Sequence, residues 1–247
     1  MNALKLIVCA LLLPAMSGAA ETWQAADFQQ ALEGESRSAA DKARDTGRKP
    51  VQIVALLDIA PGMTVLDLMA ASGYYTEVLS IAVGPDGRVY AQNPQWMLEF
   101  MKGVVDKALS QRLTDDRLPN VVRVDGDADL LGMPENSIDG ALSALNFHDV
   151  YYDYGADAAL AVLQQVYAVL KPGAAFVLID HAGNAGLDNK ALHRILESDV
   201  RDLALQAGFA IDAAPDLLSN PADDGTQMVF AKGLRGNTDR FVLQLRK

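Results

Sequence analysis

Short apolar runs and amphipathic stretches take turns along this chain, and that alternation restricts the fold more than any single residue does. Pro61-Gly62 turns the chain into Met63-Thr64-Val65-Leu66-Asp67-Leu68, a run with the length of a buried strand. A helix over 74–83 ends at Gly84-Pro85-Asp86-Gly87, residues 88–92 form the next strand, and Pro94 opens a helix that runs to about residue 113. Strands at 121–124 and 138–143, a helix over 157–170, a fifth and most apolar strand at 174–180 and a helix over 189–207 complete the series. The order βαβα predicts a doubly wound α/β fold: a mostly parallel sheet, right-handed crossovers and helices on both faces.

The flanks read differently. Trp23, Phe28 and Leu32 fall at helical spacing, and Pro50 stands at a helix start before Val51, Ile53, Val54, Leu56 and Leu57, so residues 21–60 are expected to be helices outside the sheet. Residues 209–212 and 240–245 look like strands, the latter with Phe241, Leu243 and Leu245 alternating against Val242, Gln244 and Arg246. The polar connection between them, 213–238, is long for a compact domain and reads as a lid.

Residues 1–20 carry Lys5 as their single charge, an apolar run at 6–13, the breaker Pro14 and small residues at Gly18 and Ala20. This is the pattern of a secretory signal peptide cleaved before Glu21, and it predicts a periplasmic or secreted product with no stable membrane insertion. Cys9 is the sole cysteine, so the mature chain has no thiol chemistry or disulfide. Loss of Lys5 moves the formal charge from −11 to −12, which repels phosphate backbones and excludes nucleic acid as a natural partner.

Chemistry is concentrated at Val65-Leu66-Asp67-Leu68-Met69-Ala70-Ala71-Ser72-Gly73-Tyr74, where a strand passes through a turn of small residues into a helix. Such a turn lets a ligand approach the backbone and the unpaired N–H groups of the helix start, although a tightly packed βα turn has the same look. This stretch resembles motif I of the class I S-adenosylmethionine-dependent methyltransferases, and later motifs follow in that family's order. Gly87-Arg88-Val89-Tyr90-Ala91-Gln92-Asn93 is similar to the second strand, Asp125-Gly126-Asp127-Ala128 to the adenine-contacting loop, and Val169-Leu170-Lys171-Pro172-Gly173 to the turn before strand five. The resemblance covers roughly residues 49–209 and implies a Rossmann-like, seven-stranded sheet whose last strand is antiparallel.

The resemblance also implies S-adenosylmethionine as cofactor, held by Asp67, Met69, Ala71, Gly73, Tyr74, Asn93, Asp127 and Ala128 and capped by the helices of residues 21–60. A narrower likeness joins the Gly73-Tyr74-Tyr75-Thr76-Glu77 turn, Asn146-Phe147-His148-Asp149 and Arg235-Gly236-Asn237-Thr238-Asp239-Arg240-Phe241 to a bacterial group of exported predicted methyltransferases. Departures from the wider family are Met69 and Ala71 in place of glycines and Asn93 in place of a carboxylate, each of which weakens cofactor binding or reshapes the turn.

Ligands of doubly wound folds lie at the carboxyl edge of the sheet, where strand four is expected to end in Asn146-Phe147-His148-Asp149 and strand five in Asp180-His181. His148 is the expected base, Asn146 orients substrate and His181 is the second candidate, with a small molecule or envelope component as acceptor. Asp180 and His181 also read as a hydrogen-bonded pair at a strand end, and His193 as a surface or packing residue of a helix. No metal is expected, since the dipeptide spacing of these groups matches no common signature. A non-catalytic binding protein on the same fold is the competing reading.

Overall fold

The computed structural model describes residues 25–128 and 131–247, so the leader read over 1–20 and Trp23 fall outside the described residues. Three helices come first: α1 (Ala25–Leu32), α2 (Ala39–Arg48) and α3 (Pro50–Ala55), with Pro50 in the first turn where its missing N–H breaks no bond. The alternation then runs β1 (Thr64–Leu68), α4 (Tyr74–Val83), β2 (Arg88–Asn93), α5 (Gln95–Arg112), β3 (Val121–Asp125) and β4 (Ile138–Ala144). It continues with α6 (Phe147–Tyr154), α7 (Ala156–Val169), β5 (Leu170–His181), α8 (Asn189–Leu192), α9 (Glu197–Ala207), β6 (Ala210–Ala213) and β7 (Arg240–Arg246).

The seven strands form one sheet in the order β3-β2-β1-β4-β5-β7-β6. Every pair is parallel except those of β7, which runs antiparallel to β5 on one side and β6 on the other. Strand order reverses between β1 and β4, which opens a crevice at their carboxyl ends. Alternate residues of the same strand feed two cores. Phe176 and Leu178 pack with α7 and α9, whereas Val177 and Ile179 pack with α1, α3 and α4. Each fully buried side chain of this size contributes about 1.5–3 kcal/mol, so both layers are firmly seated.

Three expectations need correction. The stretch Asn146 to Asp149 does not end β4; the strand stops at Ala144, and Phe147 and His148 begin α6. The helix expected over 189–207 is broken into α8 and α9, because Ile195 leaves helical geometry to bridge Ala182 beside the end of β5, with Ile195 N donating to His181 O. His193 therefore sits at the end of α8 in the left-handed region (φ 54°) rather than on a helix surface. Helix α5 is interrupted at Phe100–Gly103, where three successive residues have positive φ. The connection 214–239 is coil with one 3₁₀ turn, and it is fastened by a fully buried Arg194 whose Nη2 reaches Asp223 Oδ1 and Oδ2 at 3.0 and 2.9 Å.

Candidate active site

A cavity of ≈ 1160 Å³ opens at the switch point, between the carboxyl ends of β1, β4 and β5 and the segments 43–48 and 229–240. Its floor is the turn after β1. Met69 (φ 52°), Ala71 (φ 49°) and Gly73 (φ 81°) alternate in the left-handed region, so the backbone keeps the glycine conformation although two of the three residues carry a Cβ. Each non-glycine residue there costs about 1–2 kcal/mol, and the end of β2 supplies the compensating bonds. Gln92 Oε1 accepts from Met69 N (3.0 Å), while Asn93 Oδ1 accepts from Ala71 N (2.8 Å) and Asn93 Nδ2 donates to Ala71 O (3.1 Å).

That arrangement relocates several predicted residues. Asn93 is fully buried and its amide is spent on Ala71, so it braces the turn and is absent from the cavity wall. Gly73 is also off the wall: a Cβ there would lie 2.9 Å from Arg112 Cδ and Leu109 Cδ1, so the glycine admits α5 and not a ligand. Asp127 is exposed and Ala128 is buried in the core, both away from the cavity. Asp67, Met69, Ala71, Tyr74, Asn146, His148 and His181 do line it. Met69 is buried in the core group that also holds Leu66, Leu68 and Met97, and it contributes to the cavity lining.

Charge around the cavity is unevenly distributed. Asp67 is 2% exposed and accepts from Thr76 Oγ1 at 2.6 Å; burial pushes its carboxyl up to about 7, against the opposing pull of Thr76 and Arg48. Arg44 and Arg48 lie over the Tyr74 ring at 4.6 and 4.7 Å, and burial together with Arg44 and Arg240 lowers Arg48 to about 10. Among the described residues Arg48 forms no salt bridge, although its charge attracts the Asp67 carboxyl, and it faces the cavity as a cation. Below the turn, buried Glu77 is bridged by Arg112 and Arg117, and Arg112 reaches Asp41 at 2.8 Å.

The histidines form the opposite wall. Asp180, fully buried on β5, accepts from His148 N at 2.8 Å through Oδ2, and its Oδ1 lies 2.8 Å from His148 Nδ1. The bonded pair is therefore Asp180 with the His148 ring; His181 gives Asp180 only its backbone N–H. Burial disfavours a charged His148, yet the charge and hydrogen bond of Asp180, with Asp149 and Asp153 beyond, raise it to about 9. His148 Nε2 is buried and has no hydrogen-bond partner among the described residues. His181 goes the other way: burial, with the charges of His148, Arg240 and Arg194, lowers it to about 3 in spite of Asp180. His181 Nδ1 lies 2.7 Å from Thr238 Oγ1, which also accepts from Arg240 Nε. One histidine is thus cationic and its neighbour, 5.9 Å away between ring centres, is neutral at neutral pH.

Asn146 donates from Nδ2 to Met69 O (2.8 Å) and Ala144 O (3.1 Å), tying the floor to the start of α6 and leaving Oδ1 for a ligand. Sequence reasoning missed Gln92, Arg48 and His193. The one signal for Gln92 was a pair of amides closing an otherwise apolar strand; nothing in the spacing marked His193.

No family model matches the chain. A demethylmenaquinone methyltransferase of Geobacillus sp. (strain WCH70) is 28% identical over 124 residues, which cover 50% of this chain and 47% of the relative. The chain thus spans about half the length of the curated relatives it matches. A SAM dependent methyltransferase from Aquifex aeolicus superposes with a TM-score of 0.60 at 19% identity, covering 91% of this chain and 99% of the other. The class I methyltransferase fold is the fold of this chain. The cyclase SpnF has the same fold (TM-score 0.59, 16% identity, covering 87% and 84%), so the methyltransferase fold by itself does not fix the reaction.

Proposed function

We propose that this protein is an exported, S-adenosylmethionine-dependent methyltransferase acting on a small molecule or an envelope component. The observation that carries the reading is the open cavity at the β1/β4 switch point, which sets a buried Asp67 and a cationic Arg48 at one side and the Asp180–His148 pair at the other. The residues fit the cofactor. Arg44 and Arg48 suit its carboxylate, Trp96, Phe100 and Val105 provide an apolar wall for a base, and the backbone of Ala70 to Ser72 offers close approach. When bound, S-adenosylmethionine supplies a methyl group on a sulfonium, ready for in-line attack.

The protein's part is positional and protolytic. Asn146 Oδ1 orients the acceptor, and His148 Nε2 takes its proton while Asp180 holds the ring from Nδ1. A cationic ligand nearby favours loss of the proton that His148 carries at rest. His181 stays neutral, and a lid role for residues 213–238 is supported by Arg235 to Asn237 lining the cavity. Export rests on the composition of residues 1–20, and the supply of cofactor outside the cytosol is part of what the proposal must meet.

Calorimetric titration of the purified protein with S-adenosylmethionine and its demethylated product is the first test. Saturable binding of either supports the reading, and no heat at millimolar ligand overturns it. A second reading, a binding protein without transfer activity, is favoured by Asn93 being committed to Ala71. His148→Ala separates the two: turnover is expected to vanish with ligand affinity nearly unchanged, and wild-type rates would remove His148 from the chemistry.

A further inference from the structure

His148, Asp149 and His193 bring three ligand atoms within 4.8 Å of one another at the cavity wall. Asp149 Oδ1 lies 3.3 Å from His148 Nε2 and 3.5 Å from His193 Nδ1. Metal–ligand bonds of about 2.0–2.1 Å at tetrahedral angles separate neighbouring ligand atoms by about 3.3–3.4 Å, so both distances already suit one ion. A second observation points the same way: His148 Nε2 is buried, its side chain 5% exposed, and it has no hydrogen-bond partner among the described residues. The other ring nitrogen faces Asp180 at 2.8 Å, an arrangement in which a carboxylate fixes the tautomer and leaves the opposite nitrogen for a metal.

We propose that these three side chains form a binding site for a first-row divalent transition metal such as Zn²⁺, Fe²⁺ or Co²⁺. The two imidazoles of this two-histidine, one-carboxylate set discriminate against Mg²⁺ and Ca²⁺, which take all-oxygen sets. Three protein ligands leave a position open toward the cavity, where a water or an acceptor hydroxyl binds. The break between α8 and α9 is what makes the site: the left-handed residue at the end of α8 turns the His193 ring edge-on to His148, with 5.6 Å between centres. An uninterrupted helix over 189–207 would not have that backbone. Nε2 carries a proton at rest, so an ion binds there by displacing it, and the two uses of this nitrogen exclude each other: the metal-loaded site holds an acceptor by coordination, and the metal-free site takes the acceptor's proton once Nε2 has released its own.

Metal binding is measurable without S-adenosylmethionine, so its outcome is independent of the methyl-transfer reading. Chelator-treated protein is titrated with Co²⁺ in the visible region and with Zn²⁺ by calorimetry. One ion per chain is expected, with Co²⁺ d–d bands of a low-symmetry four- or five-coordinate site and no response to Mg²⁺. His193→Asn suits the left-handed position and a half-exposed side chain, and Asp149→Asn keeps the shape of its residue. Each is expected to weaken Zn²⁺ binding at least about tenfold with the circular-dichroism spectrum unchanged. Absence of saturable binding at millimolar Co²⁺, or binding equally strong in both variants, overturns the proposal.

Discussion

Asp67→Asn isolates one strongly disfavoured buried charge. The Asp67 carboxyl is fully enclosed, and burial pushes it up to about 7 although Thr76 donates to it and Arg48 attracts it. In the unfolded chain an aspartate ionises near about 3.9, so between these values the folded state holds more protons. Stability therefore falls as pH rises through that interval and levels off above the folded value. With about 1.4 kcal/mol for each tenfold change in proton affinity, the penalty on the folded state is about 1.5 kcal/mol at pH 5 and on the order of 4 kcal/mol at pH 8.

Asparagine keeps the shape and an acceptor for Thr76 and removes the charge. Urea denaturation of both proteins from pH 5 to 8 is expected to show the variant gaining about 2–3 kcal/mol on wild type across the series. In melting temperature that is about 5–10 °C for a chain of this size. Asp41, Asp180 and Asp223, all held below the usual carboxylate range, act oppositely: their contribution is present above the ordinary aspartate value and is lost on acidification. They are common to both proteins and cancel in the difference. Parallel stability curves for the two proteins would refute the reasoning about Asp67.

Three further outcomes follow from the geometry. Asp223→Ala strands the buried Arg194 guanidinium and frees the N–H groups of Gly225 and Asp239, so a loss of about 3–5 kcal/mol in denaturant unfolding is expected, with weaker ligand binding as residues 229–237 loosen. Ala71→Gly is expected to gain about 0.5–1 kcal/mol because relief of the positive φ outweighs the backbone entropy of glycine, whereas β-branched Ala71→Val is expected to lose about 1–3 kcal/mol in the same assay. Gly73→Ala, at φ 81° with Arg112 and Leu109 in the way, is expected to lower the melting temperature and to leave any S-adenosylmethionine affinity less affected than stability.

The sheet was legible because its signal is local: period and turn residues place β1 to β5, and the alternation at residues 241–246 marks β7 even though its partners are distant in sequence. What stayed hidden depended on tertiary bonds. Nothing in the sequence 189–207 shows that Ile195 leaves the helix for Ala182, and with it the position of His193 was lost. Asn93 was read as a ligand contact because the position matched, yet its two amide atoms are claimed by a residue 22 positions earlier. Asp67 and His181 were recognisable from their place at or near strand ends and His148 from the segment that follows β4, but their unequal protonation comes from burial and partners that only the folded chain brings together.

The pairing of β7 between β5 and β6 has a bearing on how the chain folds. Neither neighbour completes its backbone bonding until residues 240–246 slot between them, and β5 shows a bare row of amides until then. During that interval a second unfolded copy competes for the same backbone, so the yield of native protein falls as the concentration of folding chains rises.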